Sequence, residues 1–447
     1  LVVEGGRLID PASGLDGIRS IGIRDGRIQS ISDGKLHGER VIDASGLVVA
    51  PGFIDLHVHQ FELAQSQETY ALMVLDGVTS ALELEVGTGD VAEWYREREG
   101  GQLVNYGVSV GHIPVRMIVM GDSGSVLPSG PGGSAPATAQ QVGEIERLLE
   151  EGLREGALGV GFGLAYTPAA TSIEFESALQ VAAAHGASAF IHLRKGIEGL
   201  KEAIRGAERA NASLHVVHVN SSGGASTAEY LETIEQARSA GTDITTEAYP
   251  YEAGQTYIES ALFDDWESWE DDRFATFQWI ETGERLNRQT FARYREQGGV
   301  VIEHDRTEEM TLEAIRHPLT MIASDGFVEN GQGHPRTAGT HAKVLSKYVR
   351  EEGVLTLMDA VGRMTIEPAK RLEAYVPAMK KKGRLAVGAD ADLTIFDPET
   401  VTDRASYTDP TLPPDGIQHV LVNGESVVES GVLVLDARPG QPIRVIR

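Results

Sequence analysis

At 447 residues, the chain is long enough for an α/β barrel of roughly 250 residues together with a second, smaller domain. Its formal net charge of −27 argues against binding nucleic acid or docking on anionic lipid, and no apolar run reaches the ~20 residues needed to cross a bilayer. The absence of cysteine excludes disulfides, a thiol nucleophile and thiolate metal ligands. We expect a cytoplasmic protein without nucleic-acid or membrane partners, and leave open a periplasmic or secreted location and a homo-oligomer.

Both ends of the chain contain short β-like segments separated by turns. Residues 1–48 include the turn at 25–27, and residues 384–447 repeat this style at 391–397 and 419–424. Neither end alone could bury one face of a sheet, so we expect both ends to pack together as one composite β-sandwich.

Residues 49–383 alternate short apolar runs with helical stretches, the pattern of a parallel sheet covered by helices. The clearest helix begins at Thr138, which has capping-box spacing to Gln141. We expect a mobile loop at 127–134 and a small helical insert at about 258–305, over the mouth of a (β/α)8 TIM barrel. The eight strand candidates begin near Gly52, Thr79, Val104, Ala157, Ala187, Leu214, Thr242 and Leu319.

Five candidate metal ligands end strand-like runs of this central region, where a TIM barrel places its catalytic residues. Alternate residues of a strand point to one face, so the two imidazoles of the His-x-His pair can reach one ion. Imidazole and carboxylate suit zinc and similar divalent ions. A lone strand-end histidine is more often structural, but five candidates in a repeating strand–helix chain predict an enzyme with one or two zinc ions. The five are His57, His59, His192, His218 and Asp325.

This ordered set resembles the amidohydrolase superfamily, and further strings resemble its D-aminoacylase (N-acyl-D-amino-acid deacylase) group. The similarity covers nearly the whole chain. The strings are GALG at 156–159, GLAYTP at 163–168, HLR at 192–194, YPYEAG at 249–254, SDG at 324–326, HPR at 334–336, GT at 339–340, GRL at 383–385 and FDP at 396–398.

The resemblance implies that His57, His59 and Asp325 hold one metal position, and that His192 and His218 hold the other. Asp325 would also be the general base, taking a proton from water and passing it to the leaving nitrogen. Amide carbonyls resist water at neutral pH, whereas a divalent ion polarises the carbonyl and activates the water. The implied activity is hydrolysis of a linear amide bond, namely deacylation of N-acyl-(D-)amino acids, which are small carboxylate-bearing amides.

The chain departs from this group at the bridging ligand. A metal-ligating cysteine usually ends the second strand, but an ungapped match places Val86 there. Many other amidohydrolases use a carboxylated lysine ending the fourth strand, yet residues 156–168 contain no lysine. Glu85 is our first candidate for the bridge, Glu83 on the same strand face is the second, and Lys195, if carboxylated, is the third. A one-metal site with ordinary polar glutamates stays open.

The resemblance also implies the residues that bind substrate. Arg336 and Tyr249 would hold the substrate's carboxylate, with Gln255 standing in the place of a serine. Asn220 stands where a lysine often follows the histidine of the sixth strand. His112 matches a string that ends the third strand, and would contact substrate, support the metal ligands or be structural.

Two other functions stay open at this stage. The first is a cyclic-amide or dipeptide hydrolase resembling dihydroorotase or isoaspartyl dipeptidase, which Arg336 fits equally well. The second is a metal-binding scaffold without catalysis. Asp325 argues against the scaffold, because a structural metal site needs no proton relay.

Overall fold

The computed structural model describes residues 1–446. Eight parallel strands form its centre, and each begins within a residue or two of a position predicted from the sequence. Backbone hydrogen bonds join the first strand to the last, since Asp325 N donates to His57 O at 2.8 Å and His59 N donates to Gly326 O at 3.0 Å. The predicted barrel is therefore confirmed. In chain order its strands are Phe53–Asp55, Val78–Thr88, Asn105–Gly111, Gly159–Gly163, Ser188–His192, Ser213–Val216, Ile244–Ala248 and Thr320–Ile322.

Helices follow the barrel strands. The helix predicted at Thr138 is present, and its capping box is complete because Gln141 N donates to Thr138 Oγ1 and Thr138 N donates to Gln141 Oε1. Up to the seventh strand the helices are Leu63–Leu75, Val91–Glu97, His112–Met120, Pro131–Ser134, Ala139–Arg154, Ser172–His185, Ile197–Ala210, Val219–Gly223, the 3-10 turn Gly224–Ser226 and Thr227–Ser239. The later ones are Glu308–Arg316, Arg336–Lys343, the π-helix Val344–Glu351, Leu357–Met364, Ile366–Glu373 and the 3-10 turn Pro377–Lys381.

The two chain ends form one nine-stranded sheet. They thus pack together, as we expected because neither end alone could bury one face of a sheet. They meet where Val48–Pro51 pairs antiparallel with Leu393–Phe396, so the sheet continues past the predicted boundary at residue 48. Apolar side chains from both ends, such as Ile21 and Leu421, share one buried cluster. The strands are Val2–Asp10, Leu15–Arg24, Arg27–Ser32, Val41–Asp43, Val48–Pro51, Leu393–Phe396, Ile417–Val422, Glu425–Glu429 and Val432–Leu433.

The insert after the seventh barrel strand is not purely helical, so that part of the prediction was wrong. It contains a three-stranded antiparallel sheet whose residues Phe277 and Trp279 pack into an aromatic cluster with Phe291. Aromatic residues at alternate positions suit a strand, which explains the difference. Its elements are Gly254–Tyr257, Ala261–Phe263, Trp266–Ser268, Asp271–Phe274, Phe277–Trp279, Arg288–Gln297 and Val300–Glu303.

A short hairpin, Val328–Glu329 with Gln332–Gly333, follows the eighth barrel strand. Within residues 1–446, none of the helices combines the length and the apolar character needed to cross a membrane.

Candidate metal centre and active site

Six side chains converge at the C-terminal ends of the barrel strands. Their candidate ligand atoms form two groups, and within each group all atoms lie within 4.8 Å of one another. The first group is His57, His59, Glu85 and Asp325, and the second is Glu85, His192 and His218. The structure thus brings together the five residues singled out as ligands and Glu85, our first candidate for the bridge.

Glu85 is common to both groups, and its two oxygens face different histidines. Oε2 lies 3.0 Å from His57 Nε2 and 3.5 Å from His59 Nε2, whereas Oε1 lies 2.9 Å from His192 Nδ1. The Nε2 atom of His218 lies 3.0 Å from the same His192 nitrogen. A carboxylate placed between two sets of imidazoles has the geometry of a bridging ligand.

Asp325 connects the candidate ligands with Arg336, which we predict to hold the carboxylate of the substrate. Its Oδ1 lies 3.1 Å from His59 Nε2, and its Oδ2 lies 2.8 Å from Arg336 Nη1. Burial alone would raise the pKa of Asp325, but the Arg336 guanidinium and the His57 ring outweigh burial and lower it. Asp325 also has a left-handed backbone with φ of +54°, a conformation that is uncommon outside glycine and tends to occur at functional sites.

The two histidines of the His-x-His pair are fixed from behind by other carboxylates. Glu247 Oε1 lies 2.6 Å from His57 Nδ1, and its other oxygen lies 3.0 Å from His215 Nε2. Glu83 Oε2 lies 3.3 Å from His59 Nδ1. Both contacts leave the Nε2 atoms turned toward Glu85 and Asp325, as outer carboxylates do in metal sites. Glu83, our second candidate for the bridge, therefore lies behind His59 and in neither ligand group.

Two other predicted residues lie away from the six. Lys195, our third candidate for the bridge, donates from Nζ to the carbonyl oxygen of Leu262 in the insert at 2.6 Å, and its side chain is exposed. His112 is buried with Nε2 2.8 Å from Glu174 Oε1, and it is not among the residues that line the active-site cavity. Its contacts are those of a structural residue behind the site.

The charge of this centre fits a divalent cation. The carboxylates outweigh the cost of burial and raise the pKa of His59 to about 9, with Glu83 as the main contributor. Burial and the neighbouring His192 lower the pKa of His218 to about 3, which favours the neutral ring, the form that binds a metal ion. Buried carboxylates are costly without a compensating positive charge, and the donors are all nitrogen or oxygen. The four carboxylates are Glu83, Glu85, Glu247 and Asp325.

A cavity of about 270 Å³ opens beside the ligand groups. Arg336, fully buried, lines it with its guanidinium carbon 4.6 Å from the centre of the Tyr249 ring. Apart from its ion pair with Asp325, the guanidinium has no hydrogen-bond acceptor within residues 1–446. Gln255 lines the cavity with an Oε1 that is likewise unpaired within those residues, whereas Asn220 lies outside and donates to the Tyr249 carbonyl oxygen. The apolar wall includes Phe61, Val86, Val126, Leu127, Tyr257 and Phe327.

Sequence reasoning missed three residues that shape this region. An acidic residue inside an apolar barrel strand was the signal for Glu83 and Glu85, and the same signal would have found Glu247. Asp55, buried, accepts from the backbone amides of His57 at 3.0 Å and Ser324 at 3.0 Å, and so ties the first and last strands together. The third residue is Arg306, which lines the active-site cavity. No pattern in the sequence distinguishes it from other arginines.

The amidohydrolase family profile matches residues 40–428, which is most of the chain. The chain belongs to the amidohydrolase family. This amidohydrolase is 31% identical to N-acyl-D-glutamate deacylase from Alcaligenes xylosoxydans xylosoxydans, over 99% of this chain and 96% of that protein. It is 29% identical to D-aminoacylase from the same organism, over 96% of this chain and 94% of that protein.

Among solved structures, the amidohydrolase resembles N-acyl-D-glutamate deacylase from Bordetella bronchiseptica, which was crystallised with zinc and a phosphonate mimic of the tetrahedral intermediate. The TM-score is 0.85 at 27% identity, and the match covers 99% of both chains. The resemblance inferred from the sequence is confirmed. The protein is a metal-dependent hydrolase that acts on amide C–N bonds.

Proposed function

We propose that this amidohydrolase is a zinc-dependent deacylase of N-acyl amino acids, of D configuration, and that it releases a carboxylate and a free amino acid. The observation that carries the proposal is one cavity beside which lie both ligand groups and a buried arginine whose guanidinium has Asp325 as its only ionic partner within residues 1–446. The first suits amide hydrolysis, and the second suits a substrate carboxylate. The deacylase relatives support the same substrate class.

Six residues would hold the metal. His57, His59 and Asp325 would hold one position, His192 and His218 the other, and Glu85 would contribute one oxygen to each. When bound, a divalent ion polarises the amide carbonyl and lowers the pKa of water.

Asp325 is the proton-transfer residue in this proposal. Arg336 keeps it ionised, which is the form that accepts a proton. It takes a proton from the attacking water as the carbon–oxygen bond forms, and delivers that proton to the nitrogen as the carbon–nitrogen bond breaks. Its Oδ1 faces the ligand histidines, so the transfer occurs beside the carbonyl that is attacked.

The remaining cavity residues orient the substrate. Arg336, with Tyr249 beside it, would bind the carboxylate of the amino-acid part, since a guanidinium can form two parallel hydrogen bonds with a carboxylate. The buried, unpaired Oε1 of Gln255 would accept the N–H of the amide bond. The acyl group would lie against the apolar wall formed by residues such as Phe61 and Leu127.

A substrate panel tests this proposal. Zinc-loaded protein would be assayed with N-acyl-D-amino acids, their L enantiomers, cyclic amides and β-aspartyl dipeptides, with Asp325→Asn as the control for contaminating hydrolase. We expect turnover of the N-acyl-D-amino acids above all other classes. Preferential turnover of cyclic amides or dipeptides would overturn the proposal in favour of a dihydroorotase-like or dipeptidase-like activity.

A further inference from the structure

A second buried arginine lines the same cavity as Arg336 but comes from a different part of the chain. Arg306 lies just after the insert strand Val300–Glu303, and only 3% of its side chain is exposed. Burying a guanidinium is costly unless its donors are used. The position of Arg306 therefore requires an explanation beyond the folding of the insert.

The contacts of Arg306 hold its guanidinium against the wall of the cavity. Nη2 donates to the Tyr249 hydroxyl at 2.8 Å, and Nη1 donates to Ser221 Oγ at 3.2 Å. Nε is buried and has no acceptor within residues 1–446. Gly254 makes room for this group, since a Cβ at that position would lie only 3.3 Å from Nη2. The guanidinium is thus positioned while one of its donors stays unused.

Arg306 and Arg336 both lie close to Tyr249. Their guanidinium carbons lie 5.5 Å and 4.6 Å from the centre of its ring. Arg336 forms an ion pair with the buried Asp325. Arg306 forms one with Asp305, whose side chain is 38% exposed, so solvent weakens the attraction between these two charges. The carboxylates of Glu303 and Asp305 also line the cavity, but neither is placed by its ion pair between the two guanidinium groups at the Tyr249 ring, so an anionic ligand can bind at that ring.

Asn220 cannot supply positive charge at this ring. Its side-chain amide is neutral and donates to the carbonyl oxygen of Tyr249 from outside the cavity. Arg306 reaches the same neighbourhood from the insert, through its hydrogen bond to Ser221, the residue after Asn220. Arg306 therefore supplies a cation at this side of the cavity.

We infer that Arg306 is a substrate-binding residue, which holds the carboxylate of the N-acyl amino acid together with Arg336 and the Tyr249 hydroxyl. The inference rests on the proposed function, because it names the part of that substrate which Arg306 contacts. A carboxylate held from two sides fixes which end of the amide faces the ligand groups. The insert thereby takes part in substrate selection as well as covering the barrel mouth.

Paired substrates test the inference directly. Arg306→Gln and Arg306→Lys would be compared with wild type on an N-acyl-D-amino acid and on the same compound with its carboxylate converted to a carboxamide. The matched control is Arg293→Gln, which removes an arginine of the insert whose side chain is 60% exposed. Zinc content would be measured for each sample.

We expect Arg306→Gln to lower kcat/KM for the carboxylate substrate on the order of 10- to 100-fold, chiefly through KM, because a charged hydrogen bond is lost. Arg306→Lys should lose less, and neither variant should change the zinc content or the rate on the carboxamide by more than about 3-fold. Equal losses on both substrates, or no loss on the carboxylate, would overturn the inference.

Two further measurements keep the test decisive. Gly254→Ala retains every charge but crowds Arg306 Nη2, so it should cause a smaller loss that is again confined to the carboxylate substrate, and it serves if Arg306→Gln does not fold. If wild type hydrolyses no N-acyl amino acid, the proposed function fails. Calorimetric binding of the same two compounds to wild type and to Arg306→Gln then tests Arg306 separately, and carboxylate binding that the variant does not weaken, or no binding to wild type, would overturn the inference.

Discussion

Replacing Glu85 with glutamine should remove metal from the centre as well as activity. Its carboxylate contacts one histidine of each ligand group, His57 at 3.0 Å and His192 at 2.9 Å, and glutamine keeps the shape but loses the charge and one oxygen acceptor. Neutralising a carboxylate that only orients a ligand histidine typically weakens metal affinity about 10- to 100-fold, and Glu85 is placed to contact the ions directly, so its loss should cost at least the upper end of that range. We therefore expect the affinity for the ions that Glu85 contacts to fall by roughly 100-fold or more.

Zinc content after dialysis against buffered free zinc measures this effect. We expect about two ions per chain in wild type under the two-position proposal, and a clearly lower content in Glu85→Gln at the same free zinc concentration. Lys195→Ala is the matched control, because a carboxylated Lys195 would be the rival bridge. Full zinc content in Glu85→Gln, or loss of zinc in Lys195→Ala, would refute the reasoning, provided that circular dichroism shows both variants folded.

Three other changes give distinct results. Glu247→Gln should weaken zinc affinity about 10- to 100-fold, because the carboxylate that orients His57 is neutralised, and an unchanged zinc titration would exclude that role. Asp325→Asn should lower turnover at least about 10²–10⁴-fold in a steady-state assay, and near-normal turnover would remove it from proton transfer. Burial and the neighbouring Asp305 raise the pKa of Glu303 to about 7. The folded protein then keeps a proton there that the unfolded chain has released, so Glu303 makes the free energy of unfolding fall as pH rises from about 5 to 7. When Glu303→Gln is denatured at several pH values, its free energy of unfolding should fall less steeply with pH than that of wild type. An identical fall in the two proteins would contradict this pKa shift.

The barrel and its candidate ligand histidines could be predicted because both depend on short-range patterns. Each strand is a buried apolar run, and the chain alternates strands with helices whose starts carry recognisable caps, as at Thr138. Since parallel strands end at one face of a barrel, the side chains of His192, His218 and Asp325 could be placed together from their positions at strand ends.

The sequence reduced the candidates for the bridging ligand to three residues but could not decide between them. Alternation places Glu83 and Glu85 on the same strand face, and both are buried. What separates them is long-range packing. Glu83 accepts the backbone amides of Gln60, Val86 and Gly87, whereas Glu85 extends between histidines of the first and fifth strands.

Arg306 could not be predicted because its role depends on where the insert folds back. No periodic pattern reports that the strand Val300–Glu303 brings the following arginine to Tyr249, more than fifty residues earlier in the chain. The sheet of the insert was missed for a related reason. Its strands have only three or four residues each and pair antiparallel with distant partners, so the alternation of Phe277 and Trp279 was too short to be recognised as a strand.

The most direct test of the proposed activity is to measure zinc content and hydrolysis of an N-acyl-D-amino acid on the same samples. The samples are the protein as purified, after exhaustive chelation, and after zinc is restored. We predict that hydrolysis falls in proportion to the zinc removed and returns when zinc is added back. Undiminished hydrolysis by protein with no measurable metal would contradict a metal-dependent deacylase built on Glu85 and its neighbouring histidines.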